Sequence, residues 1–234
     1  MEIMTEKKKI VVIIPAFNEE NSVGNVLREI PKELVSEVVV VNNNSNDKTK
    51  INAQKAGATV LDEKRQGYGY ACLKGIEYVK EKKSNPDIIV FIDADYSDYP
   101  EEMKDLIKPI IEQDYDMVIG SRALGNRERG SMTPQQIFGN KLATGLMKFL
   151  YGVKYTDLGP FRAIKFDKLL ELEMRDTTYG WTVEMQLKAA KKKMKVTEIA
   201  VNYRKRIGFS KVSGTVKGTI MAGYKIITTL LKYV

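Results

Sequence analysis

The chain has 234 residues, of which 43% are hydrophobic, so it is long enough for one compact domain and too short for two comfortable ones. It contains no histidine and a single cysteine, Cys72, which excludes an internal disulfide and leaves oxygen atoms to bind any catalytic metal. No stretch of about 20 apolar residues occurs, and the first residues lack the apolar core of a signal peptide. We therefore expect an intracellular protein with one domain, residues 1–234, and no membrane-spanning helix.

The net charge of +8 is distributed unevenly along the chain. Residues 188–234 carry twelve Lys and Arg against one acid, Glu198, which gives +11 there and −3 in the remainder. A basic segment of this kind suits nucleic acid, an anionic membrane or phosphate-bearing substrates. Composition alone does not choose among these partners.

Apolar runs alternate with amphipathic stretches along the first half of the chain. Continuous apolar runs bounded by turn residues are typical of strands buried on both faces, and amphipathic stretches are typical of helices. In chain order they predict strands at 10–14, 38–41, 58–61, 88–92 and 117–119, and helices at 22–30, 47–56, 70–82 and 100–113. The alternation predicts an α/β fold with a Rossmann-like, mostly parallel sheet. We interpret residues 121–234 as additions to the same sheet.

Polar residues follow four of the predicted strands directly. Ligands of an open parallel sheet bind beyond the carboxyl ends of its strands. The polar segments at these ends are 15–19 (PAFNE), 42–47 (NNNSND), 93–95 (DAD) and 120–122 (GSR). We therefore expect the functional site at this edge of the sheet.

Two aspartates, Asp93 and Asp95, close the apolar run IIVFI. Carboxylates two residues apart at a strand end can converge on one hard divalent cation, and such a cation can neutralise charge on a departing diphosphate. The alternative interpretation is a turn followed by a capped helix, because Asp98 precedes Pro100 and two glutamates. Capping accounts for Asp98 and less well for Asp93, so the pattern favours a metal site.

The ordered set PAFNEE, VVVNNNSNDKT, IDADYSDYPEE, GSR, TDLGPFRA and RIGFSK resembles the family-2 glycosyltransferases of the GT-A fold. It is especially similar to dolichyl-phosphate mannose synthases and related polyprenyl-phosphate sugar transferases. The motifs run in order from about residue 10 to residue 212, nearly the whole chain. This resemblance implies a three-layer sandwich around a mostly parallel sheet, with amphipathic C-terminal helices. It also implies a donor-binding half at 8–122 and an acceptor half at 123–214.

The resemblance implies sites for the donor, a nucleotide sugar with uracil or guanine as its base. The expected donor-binding residues are Pro15, Ala16, Phe17, Glu19, Asn43, Asp93, Ala94, Asp95, Lys205, Arg206 and Lys211. Asn43 departs from the family, since many relatives have an aspartate at the position that contacts the base. Asparagine offers both a donor and an acceptor to a base edge. The alternative is that Asn42 and Asn43 form an Asx-type turn before the next helix, and both roles are compatible.

The resemblance also implies a catalytic metal and an anionic acceptor. Asp93, Asp95 and Ser97 are expected to bind Mg²⁺ or Mn²⁺, and Ser97 stands where dolichyl-phosphate mannose synthases often have a glutamine. Arg122 is expected to meet phosphate, because its guanidinium offers a planar fork. Its alternative is a surface salt bridge. Arg127 and Arg129 lie in a glycine-bounded loop that suits an anionic acceptor, although a merely solvated loop fits nearly as well.

Two amphipathic stretches, 138–151 and 215–234, favour contact with a membrane. The first has a stripe of Phe138, Leu142, Leu146, Phe149 and Leu150, and the second has Val216, Ile220, Ile227, Leu231 and Val234. Lysines border both stripes, where their stems can reach lipid headgroups. The alternative is that both helices cover the sheet or form a homo-oligomer interface. We expect peripheral association with the cytoplasmic face of a membrane.

The acceptor decides whether a protein base is needed. A phosphate monoester is already ionised near neutral pH, whereas a sugar hydroxyl normally needs a carboxylate base. We predict an inverting transfer from a UDP-sugar or GDP-mannose to a polyprenyl or dolichyl phosphate, with Asp95 and Arg122 in catalytic roles. The alternative is a hydroxyl acceptor with Glu184 as the base. A nucleic-acid-binding module is disfavoured, because no stacking platform of aromatic residues occurs.

Overall fold

The computed structural model of the protein describes residues 8–83, 85–210 and 216–233. Its strands are β1 (Ile10–Ala16), β2 (Glu37–Asn42), β3 (Thr59–Asp62), β4 (Ile88–Phe91), β5 (Met117–Ser121), β6 (Arg162–Lys165) and β7 (Val196–Ala200). Its helices are α1 (Val23–Glu29), α2 (Thr49–Lys55), α3 (Tyr68–Glu81), α4 (Met103–Gln113), α5 (Pro134–Tyr151), α6 (Phe166–Glu171), α7 (Trp181–Lys191) and α8 (Val216–Lys232).

The strands form one mixed sheet in the order β3-β2-β1-β4-β6-β5-β7. Strand β6 runs antiparallel to β4 and β5, and the other pairings are parallel. The predicted α/β fold with a mostly parallel sheet is therefore confirmed. The second half of the chain contributes β6 and β7 to the same sheet, and β6 lies between β4 and β5. Strand β6 was not predicted from the sequence, because it has only four residues and begins with the charged side chain of Arg162.

Apolar side chains cover both faces of the sheet. On one face, Val12 and Ile14 of β1 belong to a buried cluster with residues of α1 and α4. On the other face, Ile13 belongs to a cluster with residues of α3 and α7, in which Phe91 meets the Trp181 ring edge-on. The alternation along β1 follows from the two-residue period of a strand. Helices thus lie on both sides of the sheet and make the predicted three layers.

Helices α5, α7 and α8 pack together beside the sheet. Their shared core contains Ala143, Met147, Val183, Leu187 and Leu230. Within the described residues, no helix combines the length and the apolar composition needed to cross a bilayer. Helix α8 is joined to the body of the protein by this apolar contact and by polar contacts from its last turns.

Gly75 places α3 directly against β1. A Cβ atom at Gly75 would lie 2.6 Å from Cγ2 of Ile13, which is completely buried. We predict that Gly75→Ala lowers the free energy of unfolding by about 1–3 kcal/mol, because the helix has to move away from the strand. Urea denaturation measures the change. The control is Gly145→Ala on α5, where a Cβ meets open space and where about 1 kcal/mol of stabilisation is expected. Equal stabilities of the Gly75→Ala variant and wild type would contradict this packing.

Candidate active site

The carboxyl ends of β1, β2 and β4 meet at one edge of the sheet. Strand β1 pairs with β2 on one side and with β4 on the other, so the chain crosses over between them. In an open α/β sheet, such a crossover leaves a crevice beyond the strand ends. Three of the four predicted polar segments, 15–19, 42–47 and 93–95, begin at the ends of these strands, as the sequence predicts.

Asp93 and Asp95 lie in the loop that follows β4. The hydroxyl of Tyr68 donates a hydrogen bond to Oδ1 of Asp93 over 3.0 Å. The backbone N–H of Ser97 donates to Oδ1 of Asp95 over 2.9 Å, and the Ser97 hydroxyl bonds to the same oxygen. Tyr96 between them has a φ of 65°, in the left-handed region that few non-glycine residues adopt. The two carboxylates of the DAD segment lie close enough for Asp95 to repel Asp93.

Electrostatics oppose the ionisation of this acid cluster. Burial, followed by repulsion from Asp95, raises the pKa of Asp93 to about 7. Burial and repulsion from Asp93 and Asp95 also raise the pKa of Asp98 well above its usual value. Both carboxylate oxygens of Asp98 are buried without a hydrogen-bond partner among the described residues. Asp98 therefore does not cap the following helix, which corrects the capping interpretation of this residue.

The acid cluster fits a hard divalent cation. Carboxylate oxygens are the ligands that Mg²⁺ and Mn²⁺ prefer, and a cation would relieve the repulsion that raises the pKa of Asp93. In the part of the chain that the structure describes, no three Asp, Glu or Cys side chains are arranged to hold a metal ion. Two protein carboxylates are thus available here. Ser97, predicted as a third ligand, is completely buried and orients Asp95 through its hydroxyl.

A basic segment, 203–207, runs along the acid loop. The backbone N–H of Arg204 donates to the carbonyl of Ser97 over 2.9 Å, and that of Ile207 donates to the carbonyl of Asp95 over 3.0 Å. The guanidinium of Arg206 lies 3.2 Å from Oδ2 of Asp95 and 2.8 Å from Oε1 of Glu19. Arg206 therefore reaches the predicted site by pairing with two of its acids. Lys205 is exposed beside it, and Lys211 lies outside the described residues.

Arg204 anchors this segment and was not identified from the sequence. Its guanidinium carbon lies 3.4 Å from the centroid of the Tyr96 ring and 4.2 Å from that of Tyr99. It also donates to the carbonyl of Tyr96 over 2.8 Å and forms an ion pair of 2.7 Å with Glu29. Aromatic stacking of this kind favours arginine over lysine. The available signal in the sequence was the run of three basic residues, 204–206, directly after Tyr203.

Arg122 is engaged by Asp157 of the TDLGPFRA segment. Its Nε and Nη2 donate to the two carboxylate oxygens of Asp157, each over 2.7 Å. Although burial opposes ionisation, the adjacent guanidinium holds the pKa of Asp157 below its usual value. The pair is buried, with 1% of the Asp157 side chain exposed, so it is not the surface salt bridge considered as the alternative. Arg122 was predicted to bind phosphate, and two of its guanidinium nitrogens are thus already hydrogen-bonded to Asp157.

Asn43 bonds to the loop that leads into α3. Its Nδ2 donates to the carbonyls of Glu63 and Arg65 over 3.2 and 2.7 Å, and its Oδ1 accepts from the N–H of Gly67 over 2.8 Å. The side chain therefore acts as scaffold for residues 63–67. The local turn bond is made by Asn42 instead, whose Oδ1 accepts from the N–H of Ser45 over 3.4 Å. Pro15 and Ala16 are buried at the end of β1, Phe17 and Glu19 follow them, and Ala94 is buried between the two aspartates.

The loop 126–130 lies beside the basic segment. The N–H of Glu128 donates to the carbonyl of Tyr203 over 2.9 Å, and the Glu128 carboxylate accepts from the N–H of Lys205 over 2.9 Å. Arg127 and Arg129 are both exposed. The structure therefore brings these two predicted acceptor-binding arginines to the same side of the sheet as Lys205.

Glu184 lies in the first turn of α7 and is fully engaged there. Its carboxylate accepts from the N–H groups of Arg175 and Asp176 and from the hydroxyl of Tyr233 over 2.7 Å. It also forms an ion pair of 2.7 Å with Lys188. Although burial opposes ionisation, these partners lower the pKa of Glu184. Its contacts hold the segment 175–176 and the end of α8 in place.

The family model described as Glycosyl transferase family 2 matches residues 11–172. The dolichyl-phosphate hexose transferase of Haloferax volcanii is 30% identical over 207 residues, with 87% of this chain and 86% of that relative covered. A UDP-N-acetylglucosamine–dolichyl-phosphate N-acetylglucosaminyltransferase of Methanococcus voltae is 27% identical over 248 residues, with 96% and 95% covered.

Among solved structures, glucosyl-3-phosphoglycerate synthase of Mycobacterium tuberculosis, crystallised with Mn²⁺, UDP and phosphoglyceric acid, superposes with a TM-score of 0.75 at 22% identity. The superposition covers 97% of this chain and 78% of that one. At this level of identity, the likeness concerns the fold. The GT-A fold that the sequence predicts is thereby confirmed.

We predict that Asp93→Asn stabilises the protein in the absence of metal. The unfolded carboxyl ionises near its usual pKa of 3.8, whereas the folded one ionises at about 7. Between these values the unfolded chain loses its proton first, so the wild-type fold loses stability as the pH rises. We expect Asp93→Asn to gain up to about 4 kcal/mol at neutral pH and almost nothing below about pH 4. Urea denaturation in EDTA at both pH values measures this, and a variant less stable than wild type at neutral pH would contradict it.

Proposed function

The chain belongs to glycosyl transferase family 2, and we propose that it transfers a sugar from a nucleotide-sugar donor to a polyprenyl phosphate at a membrane surface. The observation that carries this proposal is the pair of mutually repelling carboxylates in the loop after β4, where Asp95 is buried and Asp93 is partly exposed. They lie beside a basic segment at the crevice of a GT-A sheet. Two relatives whose names describe transfer to dolichyl phosphate, from Haloferax volcanii and Methanococcus voltae, support the choice of acceptor.

Asp93 and Asp95 would hold Mg²⁺ or Mn²⁺ in this function. The bound cation would neutralise negative charge on the leaving nucleoside diphosphate. Arg206, now paired with Glu19 and Asp95, lies at this place and would stabilise the diphosphate once those acids are engaged elsewhere. The structural neighbour crystallised with Mn²⁺ and UDP supports both the metal and a uridine donor. The half at 8–122 would thus bind the donor.

The acceptor phosphate would attack C1 of the sugar from the side opposite the leaving group. One carbon–oxygen bond forms to the acceptor phosphate as the bond to the nucleoside diphosphate breaks, which inverts the configuration. The exposed Arg127 and Arg129 would hold the acceptor, and they come from the half at 123–214. Lys205, exposed beside them, would contact the donor phosphates. Since the attacking oxygen is already ionised, no protein base is required.

The contacts of Glu184 bear on the alternative acceptor. A general base needs a free lone pair and a pKa near the working pH. Glu184 accepts from two backbone N–H groups and a tyrosine hydroxyl, pairs with Lys188, and has a lowered pKa. These contacts suit a structural role, and they favour a phosphate acceptor over a hydroxyl that relies on Glu184.

The exposed apolar side chains of α5 and α8 support contact with a membrane. In the predicted stripe of α5, Phe138 and Phe149 remain 68% and 85% exposed, while Ala143 and Met147 form the inward face. On α8, Ile227 and Leu231 of the second stripe are also exposed. The side chains at 216 and 220 and residue 234 lie outside what the structure describes. Because α5 packs on α8, these side chains would enter the same interface, with Lys141, Lys148 and Lys232 at the headgroups.

We predict that Asp95→Asn lowers transfer roughly hundredfold or more, since a metal ligand lost from such a site removes several kcal/mol of transition-state stabilisation. The assay supplies radiolabelled UDP-sugars and GDP-mannose with polyprenyl phosphates in vesicles. It then measures label extracted with the lipid and released by mild acid. The control is Asp105→Asn, the same change at an exposed position of α4. Circular dichroism verifies that both variants are folded, and an unimpaired Asp95→Asn variant would refute the proposal.

We further predict that Phe149→Ser weakens binding to vesicles that contain anionic lipid about tenfold, because a phenylalanine side chain contributes about 1.5–3 kcal/mol when buried. Ile227→Ser on α8 is expected to act in the same direction. Ile111→Ser on α4, where the isoleucine is similarly exposed, is the control and should bind as wild type does. Sedimentation with vesicles measures binding. A dimer that dissociates in the Phe149→Ser variant while vesicle binding is unchanged would identify this surface as a homo-oligomer interface instead.

A further inference from the structure

The two carboxylates of the acid pair are held very differently. Asp95 accepts from the N–H and hydroxyl of Ser97 and forms an ion pair with Arg206, so three groups fix its orientation. Among the residues that the structure describes, the hydroxyl of Tyr68 is the one hydrogen-bond donor to Asp93. Repulsion between neighbouring carboxylates drives them apart, so the orientation of Asp93 depends on this single bond.

Tyr68 is itself held rigidly, because the start of α3 is fixed from two sides. The N–H of Gly67 donates to Oδ1 of Asn43 over 2.8 Å. On the other side, Cβ atoms built at Gly67 and Gly69 would lie 2.2 and 2.0 Å from the carbonyl oxygens of Thr177 and Asp176. Only glycine permits so close an approach. The Tyr68 ring packs against the buried cluster of α3 and α7, which leaves its hydroxyl little freedom.

We propose that Tyr68 is a positioning residue for the metal site, which turns Asp93 by occupying one of its oxygens and so presents the other to the cation. This inference rests on the proposed function, since it takes Asp93 as a metal ligand. Hydrogen bonds to the far side of a ligating carboxylate fix its orientation, and their loss typically weakens metal affinity about 10- to 100-fold. The motif RQGYGY gave no such signal in the sequence, because Tyr68 and Asp93 are 25 residues apart.

The test measures Mn²⁺ binding directly, without turnover. Electron paramagnetic resonance reports free Mn²⁺ as it is titrated into the protein with UDP present. We expect Tyr68→Phe, which keeps the packed ring and removes the hydroxyl, to raise the dissociation constant for Mn²⁺ about tenfold or more. The matched control is Tyr70→Phe, in the same turn of α3, whose hydroxyl donates no hydrogen bond to the described residues. It should bind Mn²⁺ within about twofold of wild type.

A double-mutant cycle separates positioning from a general structural effect. If Tyr68 acts through Asp93, adding Tyr68→Phe to Asp93→Asn should change the residual Mn²⁺ affinity by less than about twofold. Additive losses would overturn the proposal, and so would a Tyr68→Phe variant that binds Mn²⁺ as tightly as wild type. Circular dichroism at the assay temperature gives the folded fraction of each variant, by which the affinities are corrected.

The same titration distinguishes failure of this inference from failure of the proposed function. If wild type binds no Mn²⁺ with UDP, or if Asp95→Asn binds it equally well, the metal site itself is refuted. If wild type binds Mn²⁺, Asp95→Asn does not, and Tyr68→Phe matches wild type, only the role of Tyr68 is refuted. In active protein, the KM for Mn²⁺ should rise in Tyr68→Phe, whereas the KM for the acceptor should stay unchanged.

Discussion

The repulsion among Asp93, Asp95 and Asp98 is the constraint on which the rest of the site depends. Three carboxylates lie in one loop, and burial raises the pKa of two of them. Carboxylates that repel one another stay close only where the surrounding structure holds them in place. Here strand β4 is completely buried between β1 and β6, so the position of the loop is fixed by the core. The burial of apolar side chains in the sheet thus keeps these acids close together, although their charges repel one another.

Three arginines near this loop are already committed to partners. Arg206 pairs with Asp95 and Glu19, Arg122 with Asp157, and Arg204 with Glu29 and two tyrosine rings. If a metal ion and a diphosphate bound here, acids of these pairs would contact the metal ion instead, and arginines would contact the diphosphate. Substrate binding in the proposed function is therefore a rearrangement of existing ion pairs, and its cost depends on how firmly each arginine is held. Arg204, in contact with two aromatic rings, is the one that anchors the segment during such an exchange.

The C-terminal helix is connected to the acid pair through a short chain of contacts. Tyr233 donates to Glu184, and Lys225 pairs with Asp176 over 3.1 Å. The carbonyls of Asp176 and Thr177 lie against the glycines that begin α3, and Tyr68 of α3 donates to Asp93. The helix that carries the exposed apolar surface and the loop that carries the acids therefore share one packed framework. This gives residues 175–177, which had no evident motif, a clear structural task.

The sequence by itself determined the alternating strands and helices of the first half of the chain, and it predicted where a site would lie. Runs such as IIVFI and the helical periodicities are local patterns, and the strand ends where the polar segments begin are visible without any tertiary information. The tertiary structure alone decided the insertion of antiparallel β6, the pairing of Arg122 with Asp157, 35 residues away, and that of Glu184 with Tyr233, 49 residues away. It also turned Asn43, predicted to face a base, toward the loop 63–67. The physical reason is that periodicity follows from the geometry of one segment, whereas side-chain partners are set by how distant segments pack.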